Sequence, residues 1–174
     1  LPVTAKEIEQ AVLFKYLVQQ QGWAVLREVS IDTDEPTRRR RPHLRRIDIL
    51  LMRIGRNSTP RHERIALEIK VSRADFRRDT PEKREPWFRV ADRFAYVCPV
   101  GMIAKAEVPE GCGLLEFDPN TIGFSQLRWA LPAPRNPNPA AFEPQFTAYL
   151  AGRASRAEAE VRELMKSRNH ENLN

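Results

Sequence analysis

Arg45-Arg46-Ile47-Asp48-Ile49-Leu50-Leu51-Met52 and, after a polar connection, Ile65-Ala66-Leu67-Glu68-Ile69-Lys70-Val71-Ser72 are the stretches on which the fold turns. Residues 47–52 and 65–71 are dense in Ile, Leu, Met and Val. The link Gly55-Arg56-Asn57-Ser58-Thr59-Pro60 carries the Gly, Asn and Pro of a connection between strands. The two segments are expected to be paired core strands. Side chains alternate across a strand, so Glu68, Lys70 and Ser72 share one face while Leu67, Ile69 and Val71 share the other.

Carboxylates and an ammonium on core strands need partners, water or a metal, because burying them alone costs several kcal/mol. Asp48 and Glu68, with the Ile69 carbonyl as a third donor, suit a hard cation such as Mg²⁺ or Mn²⁺, which binds oxygen and keeps waters for a substrate phosphate. Such a cation polarises a phosphoryl oxygen and lowers the pKa of its water. Lys70 would then position or deprotonate that water, or balance charge in the transition state. The plainer alternative is Asp48 beside Arg46 at a strand start, with Glu68 and Lys70 as a structural ion pair.

Asp48, a spacer and Glu68-Ile69-Lys70 resemble the core motif of the PD-(D/E)XK nuclease superfamily, with Ile47 where the motif's name has proline. The longer string Glu68-Ile69-Lys70-Val71-Ser72-Arg73-Ala74-Asp75-Phe76, with Asp92-Arg93-Phe94 and Val108-Pro109-Glu110-Gly111, is similar to its MmcB-like, DNA-repair-associated branch. The resemblance spans about residues 5–118. It implies a restriction-endonuclease-like α/β fold, a mixed β-sheet flanked by helices, acting on DNA. By the same resemblance Asp48 and Glu68 are metal ligands and Lys70 is the catalytic lysine.

Charge is distributed unevenly. The net is +6, yet residues 38–93 hold 18 basic and 8 acidic residues, and the rest of the chain is net negative. Arg38, Arg39, Arg40 and Arg41, followed by Arg45 and Arg46, are expected to form a loop that meets phosphates and releases counterions. Arg73, Arg77, Arg78, Lys83 and Arg84 form a second basic group after the acidic motif. DNA, duplex or single-stranded, is the expected partner. Trp87 and Phe88 are expected to anchor their segment to the core, with stacking on an unpaired base as the alternative.

Thr4-Ala5-Lys6-Glu7 has the form of a capping box, and apolar residues recur from it to Val18, with Gly22 placed as a C-terminal cap. Glu9 falls within the apolar arc of this helix. The superfamily resemblance gives it a role at the metal site; a pair with a local Arg or Lys is the alternative. Strands are further expected over residues 23–31, 94–97, 113–117 and 122–131, and a short helix over 101–106. Five prolines between Pro132 and Pro144 make a stiff connector. A helix to about Met165 then follows, its apolar stripe packing on the core or pairing with another subunit, so a homodimer or a larger repair complex stays open. The expected division is a nuclease-like core over 1–131 and the connector with its helix over 132–174.

No apolar stretch approaches the ~20 residues that span a bilayer, and no leader pattern is present, so a cytoplasmic protein without membrane partners is expected. Cys98 and Cys112 lack metal spacing and are expected to be buried thiols. His43 and His62 have no zinc-like partner spacing. Together these features lead to a Mg²⁺- or Mn²⁺-dependent DNA endonuclease in repair, restriction or phage DNA processing. The alternative is a DNA-binding repair accessory protein that keeps the fold and cleaves little by itself.

Overall fold

The computed structural model describes residues 2–20, 22–32, 44–53 and 62–156, which belong to two compact units, residues 1–140 and 141–174. In the first unit the Thr4 hydroxyl accepts from the Glu7 amide while the Glu7 carboxylate accepts from the Thr4 amide at 2.7 Å, which closes the capping box and starts helix α1 (Ala5–Leu13). A π-helical turn (Phe14–Gln19) continues it, and Gly22, with φ +95°, turns the chain into the sheet.

Six strands lie side by side in sequence order: β1 (Trp23–Asp32), β2 (Leu44–Arg53), β3 (Arg64–Ile69), β4 (Arg93–Pro99), β5 (Cys112–Phe117) and β6 (Leu127–Leu131). The β3–β4 and β4–β5 pairs are parallel and the other three are antiparallel. Parallel neighbours need a crossover, and between β3 and β4 it is made by α2 (Arg73–Arg77) and α3 (Pro81–Val90).

Strand alternation divides the core. Ile49, Leu51, Ile65, Leu67, Ile69, Ala95, Val97, Leu115 and Phe117 form one cluster with Ile8, Ala11 and Val12 of α1 and Tyr16. The alternate residues face α2 and α3: Phe76 meets Tyr96 and Phe88 meets Phe94 edge to face, each at 5.1 Å. The expected mixed sheet flanked by helices is thus present.

Local expectations change, and two helices form where no element was expected; the strand expected over 122–131 begins only at Leu127, after a 3₁₀ turn at Gly123–Gln126. Residues 101–106 form no α-helix; the only helical residues there begin a 3₁₀ turn at Lys105–Glu107. The helices α2 and α3 occupy a stretch whose sequence shows no clear apolar period, because α3 carries Pro86 in its interior and buries Arg84 beside Trp87 and Val90. The proline-rich connector belongs to the first unit. Its non-proline residues bind the body through Arg93 Nη1 to the Ala133 carbonyl, the Asn136 amide to the Asp92 carbonyl at 2.7 Å, and the Ala140 amide to the Arg89 carbonyl at 2.8 Å. The boundary therefore falls after Ala140 rather than after Leu131.

In the second unit a helix, α4, covers residues 144–156, with Phe142, Phe146 and Tyr149 in successive ring contacts. The part of its stripe from Ala157 to Met165, the Arg38–Arg41 run and the 55–60 connection lie outside the described residues. Among the described residues no helix is long and apolar enough to cross a membrane.

Candidate active site

The register of β2, β3 and β4 assembles the site. Ile49 pairs with Leu67, which sets Asp48 opposite Glu68, and Glu68 pairs with Tyr96. Asp48, Glu68 and Tyr96 thus form a row across three strands on the face turned to α2 and α3. The Ile69 amide donates to Asp48 Oδ2 at 2.7 Å and leaves Oδ1 without a described donor. On the far side of Asp48, Glu28 of β1 adopts φ +48° and pairs with Arg46 at 3.3 Å. A left-handed non-glycine residue in a strand is strained, and such strain gathers at functional sites.

Lys70 follows β3 directly, its amide bonded to the Val97 carbonyl, and is 5% exposed. Its ammonium lies 2.9 Å from Glu68 Oε1 and 3.7 Å from both Asp75 Oδ2 and Asp79 Oδ1. Asp79 is held from behind: Arg84 Nη1 donates to its Oδ2 at 2.7 Å, and the Tyr96 hydroxyl donates to the same oxygen. Arg84 also donates to the Tyr96 oxygen at 3.1 Å. Asp75, Asp79 and Tyr96 escaped the sequence analysis as site residues. Their signal was the Lys70-x₄-Asp75-x₃-Asp79 spacing, which reads as surface charge until the α2–α3 crossover folds it onto the strand ends.

Electrostatics follow the geometry. Burial, then the Asp48 charge, raise the Glu68 carboxyl to about 7 against the pull of Lys70. Burial also raises Asp48, although the Ile69 amide, Lys70 and Arg46 oppose it. Lys70 is lowered by burial, but Glu68, Asp75 and Asp79 outweigh that and raise it overall. The ammonium is therefore firmly charged, while Glu68 gives up its proton reluctantly.

A cavity of about 170 Å³ opens beside Glu68, bordered by Arg45, Arg46, Asp79, Lys83 and Arg84. Of the basic residues expected to meet DNA, Arg45, Arg46 and Lys83 stand at this opening. Arg73 instead binds Glu107 and the Met102 carbonyl, Arg78 pairs with Asp75 at 3.6 Å, and Arg77 is exposed. The Arg38–Arg41 run is outside the described residues. Trp87 is buried against the core rather than presented for stacking. Glu9 pairs with Arg27 at 3.2 Å on the side of the sheet covered by α1, so it is not brought to Asp48 and Glu68. A helix whose apolar face packs on the odd-numbered β3 residues carries Glu9 to that side.

Among the described residues no cluster of three or more His, Cys, Asp or Glu side chains is arranged around a metal position. The donor set is nevertheless compatible with Mg²⁺ or Mn²⁺: Asp48 and Glu68 each keep one carboxylate oxygen outside their hydrogen bonds, and such cations take one or two carboxylates and complete their shell with water and phosphate. Cys98 and Cys112 are buried free thiols, raised by burial to about 12 and about 11.

No family model matches the chain, and no curated protein matches it. The chain is similar in fold to a solved structure, the SPO1766 protein of unknown function from Silicibacter pomeroyi, at 18% identity and a TM-score of 0.58 over 95% of this chain and 94% of that one.

Proposed function

We propose that the protein is a Mg²⁺- or Mn²⁺-dependent DNA nuclease that hydrolyses phosphodiester bonds, acting as an endonuclease in repair, restriction or phage DNA processing. The observation that carries this is the side-by-side placement of Asp48 and Glu68, two half-buried carboxylates, beside a cavity rimmed by Arg45, Arg46, Lys83 and Arg84. The resemblance of Asp48 and Glu68-Ile69-Lys70 to the PD-(D/E)XK motif supports the same conclusion.

Asp48 and Glu68, with the Ile69 carbonyl, would hold the cation. When bound, it would polarise the scissile phosphoryl oxygen and acidify an attacking water. Lys70 is raised overall by its carboxylates, so it serves better as a fixed positive charge beside the developing phosphorane than as a base. Arg45, Arg46 and Lys83 neutralise flanking phosphates and set the register of the strand.

One observation favours the accessory-protein alternative: Glu68 is paired with Lys70 at 2.9 Å, the arrangement of a structural ion pair. Cleavage of plasmid, linear duplex and single-stranded DNA with Mg²⁺, Mn²⁺ or EDTA separates the two. The nuclease gives metal-dependent cleavage that falls at least about a hundredfold in Glu68→Ala and Lys70→Ala. If wild type and both variants bind DNA equally and none cuts it, the protein is a binder.

A further inference from the structure

Lys70 takes Glu68 Oε1 and leaves Oε2 to the proposed cation, but a divalent cation bound there would stand next to the ammonium on the same carboxylate, and the two charges repel. We propose that Asp75 and Asp79 form a second seat for the Lys70 ammonium, onto which it moves when Glu68 turns to a divalent cation. This inference rests on the nuclease reading for the existence of the cation site, and it adds how that site is freed.

The distances set out the exchange. Lys70 Nζ is within bonding distance of Glu68 and lies 3.7 Å from both aspartates, so a displacement of about 1 Å brings it to the ~2.8 Å of a charge-assisted hydrogen bond. The four-carbon lysine stem allows such a step through small torsional changes. The seat is built in advance: Asp79 is 4% exposed at its side chain and fixed by Arg84 and Tyr96, so only its Oδ1 is turned toward the ammonium. Asp75 is positioned at the start of α2, where its amide donates to the Ser72 hydroxyl at 3.1 Å. Without these two carboxylates, ligation by Glu68 would strand a buried ammonium beside a divalent cation, which is strongly unfavourable. Asp75 and Asp79 are thus positioning residues that act through Lys70.

The test is calorimetric titration of Mn²⁺ into the EDTA-treated full chain, with no DNA present. Asp75→Asn and Asp79→Asn are each compared in the wild-type and Lys70→Met backgrounds. With lysine present, each aspartate substitution is expected to weaken Mn²⁺ binding roughly tenfold, because the ammonium stays on Glu68; with methionine, the same change is expected to cost less than about threefold. Equal weakening in both backgrounds would mean that the aspartates act on the cation through their field alone, and the second seat would be wrong. Unchanged affinity in both aspartate variants overturns it as well. Asp75 is the more exposed of the two, so its variant carries the comparison if Asp79→Asn does not fold. If neither wild type nor Lys70→Met takes up Mn²⁺, the cation site itself fails, an outcome distinct from aspartate variants that bind as the parent does.

Discussion

Glu68 is a carboxyl raised by its surroundings, and the sign of that shift gives a stability prediction. Its carboxyl is raised by burial and by Asp48 from 4.5 to about 7, so the folded protein holds a proton there that the unfolded chain releases. A raised folded pKa contributes stability that is complete below about 4.5 and lost as the pH climbs through 7. Metal-free wild type should therefore lose up to about 3 kcal/mol relative to Glu68→Gln between pH 4.5 and pH 8, as read by urea unfolding at each pH. A wild-type curve parallel to that of the variant would show that Glu68 titrates normally. Addition of Mn²⁺ should reverse the trend, since a carboxylate ligand binds after losing its proton. At this scale the sequence revealed Asp48, Glu68 and Lys70, because alternation puts Glu68 and Lys70 on one face and the pairing of two adjacent apolar segments brings Asp48 beside them. It concealed Asp79, whose partners Lys70, Arg84 and Tyr96 come together only through the crossover, and for Glu9 it left open a place at a metal site or a pair with a local arginine, of which the pair, with Arg27, is formed.

Among the elements, β5 and the connector meet most tightly at Gly113. A Cβ on that residue would stand 2.6 Å from the Ala133 amide nitrogen and 2.7 Å from its Cα, and backbone at that distance has to move. Gly113→Ala should destabilise the protein by about 1–3 kcal/mol in urea unfolding, the usual cost of overpacking. A smaller effect would mean that residues 132–136 shift away freely. The capping box gives an independent test: Thr4→Ala removes the hydroxyl that accepts from the Glu7 amide and should cost about 1 kcal/mol, again by urea unfolding. No loss would show that α1 is fixed wholly by Ile8, Val12 and Tyr16. The strands and α1 were legible because apolar runs and a cap announce them locally. The helices α2 and α3 were not, since Pro86 and the buried Arg84 break the apolar period that would mark them, and the connector's attachment depends on individual amides at Asn136 and Ala140.

For the whole molecule the decisive quantity is where the positive charge lies. Residues 38–93 hold 18 basic residues, and of the described ones Arg45, Arg46, Lys83 and Arg84 rim the cavity beside Glu68. A protein that binds DNA through such a surface loses affinity with salt, at ~0.9 in log–log slope for each duplex phosphate it neutralises. Replacing Arg38–Arg41 with glutamine should lower the slope by about 0.9 for each arginine that meets a phosphate and weaken binding alike on unrelated sequences. Arg46→Gln with Lys83→Gln should also flatten the slope, and should slow any cleavage more than it weakens binding, because these two residues stand at the cavity beside Glu68. Fluorescence anisotropy on two unrelated duplexes from 50 to about 200 mM salt measures the first effect, and single-turnover cleavage the second. If the Arg38–Arg41 variant keeps the full slope while the cavity pair loses it, DNA enters along the α3 side of the site and the arginine run faces solvent.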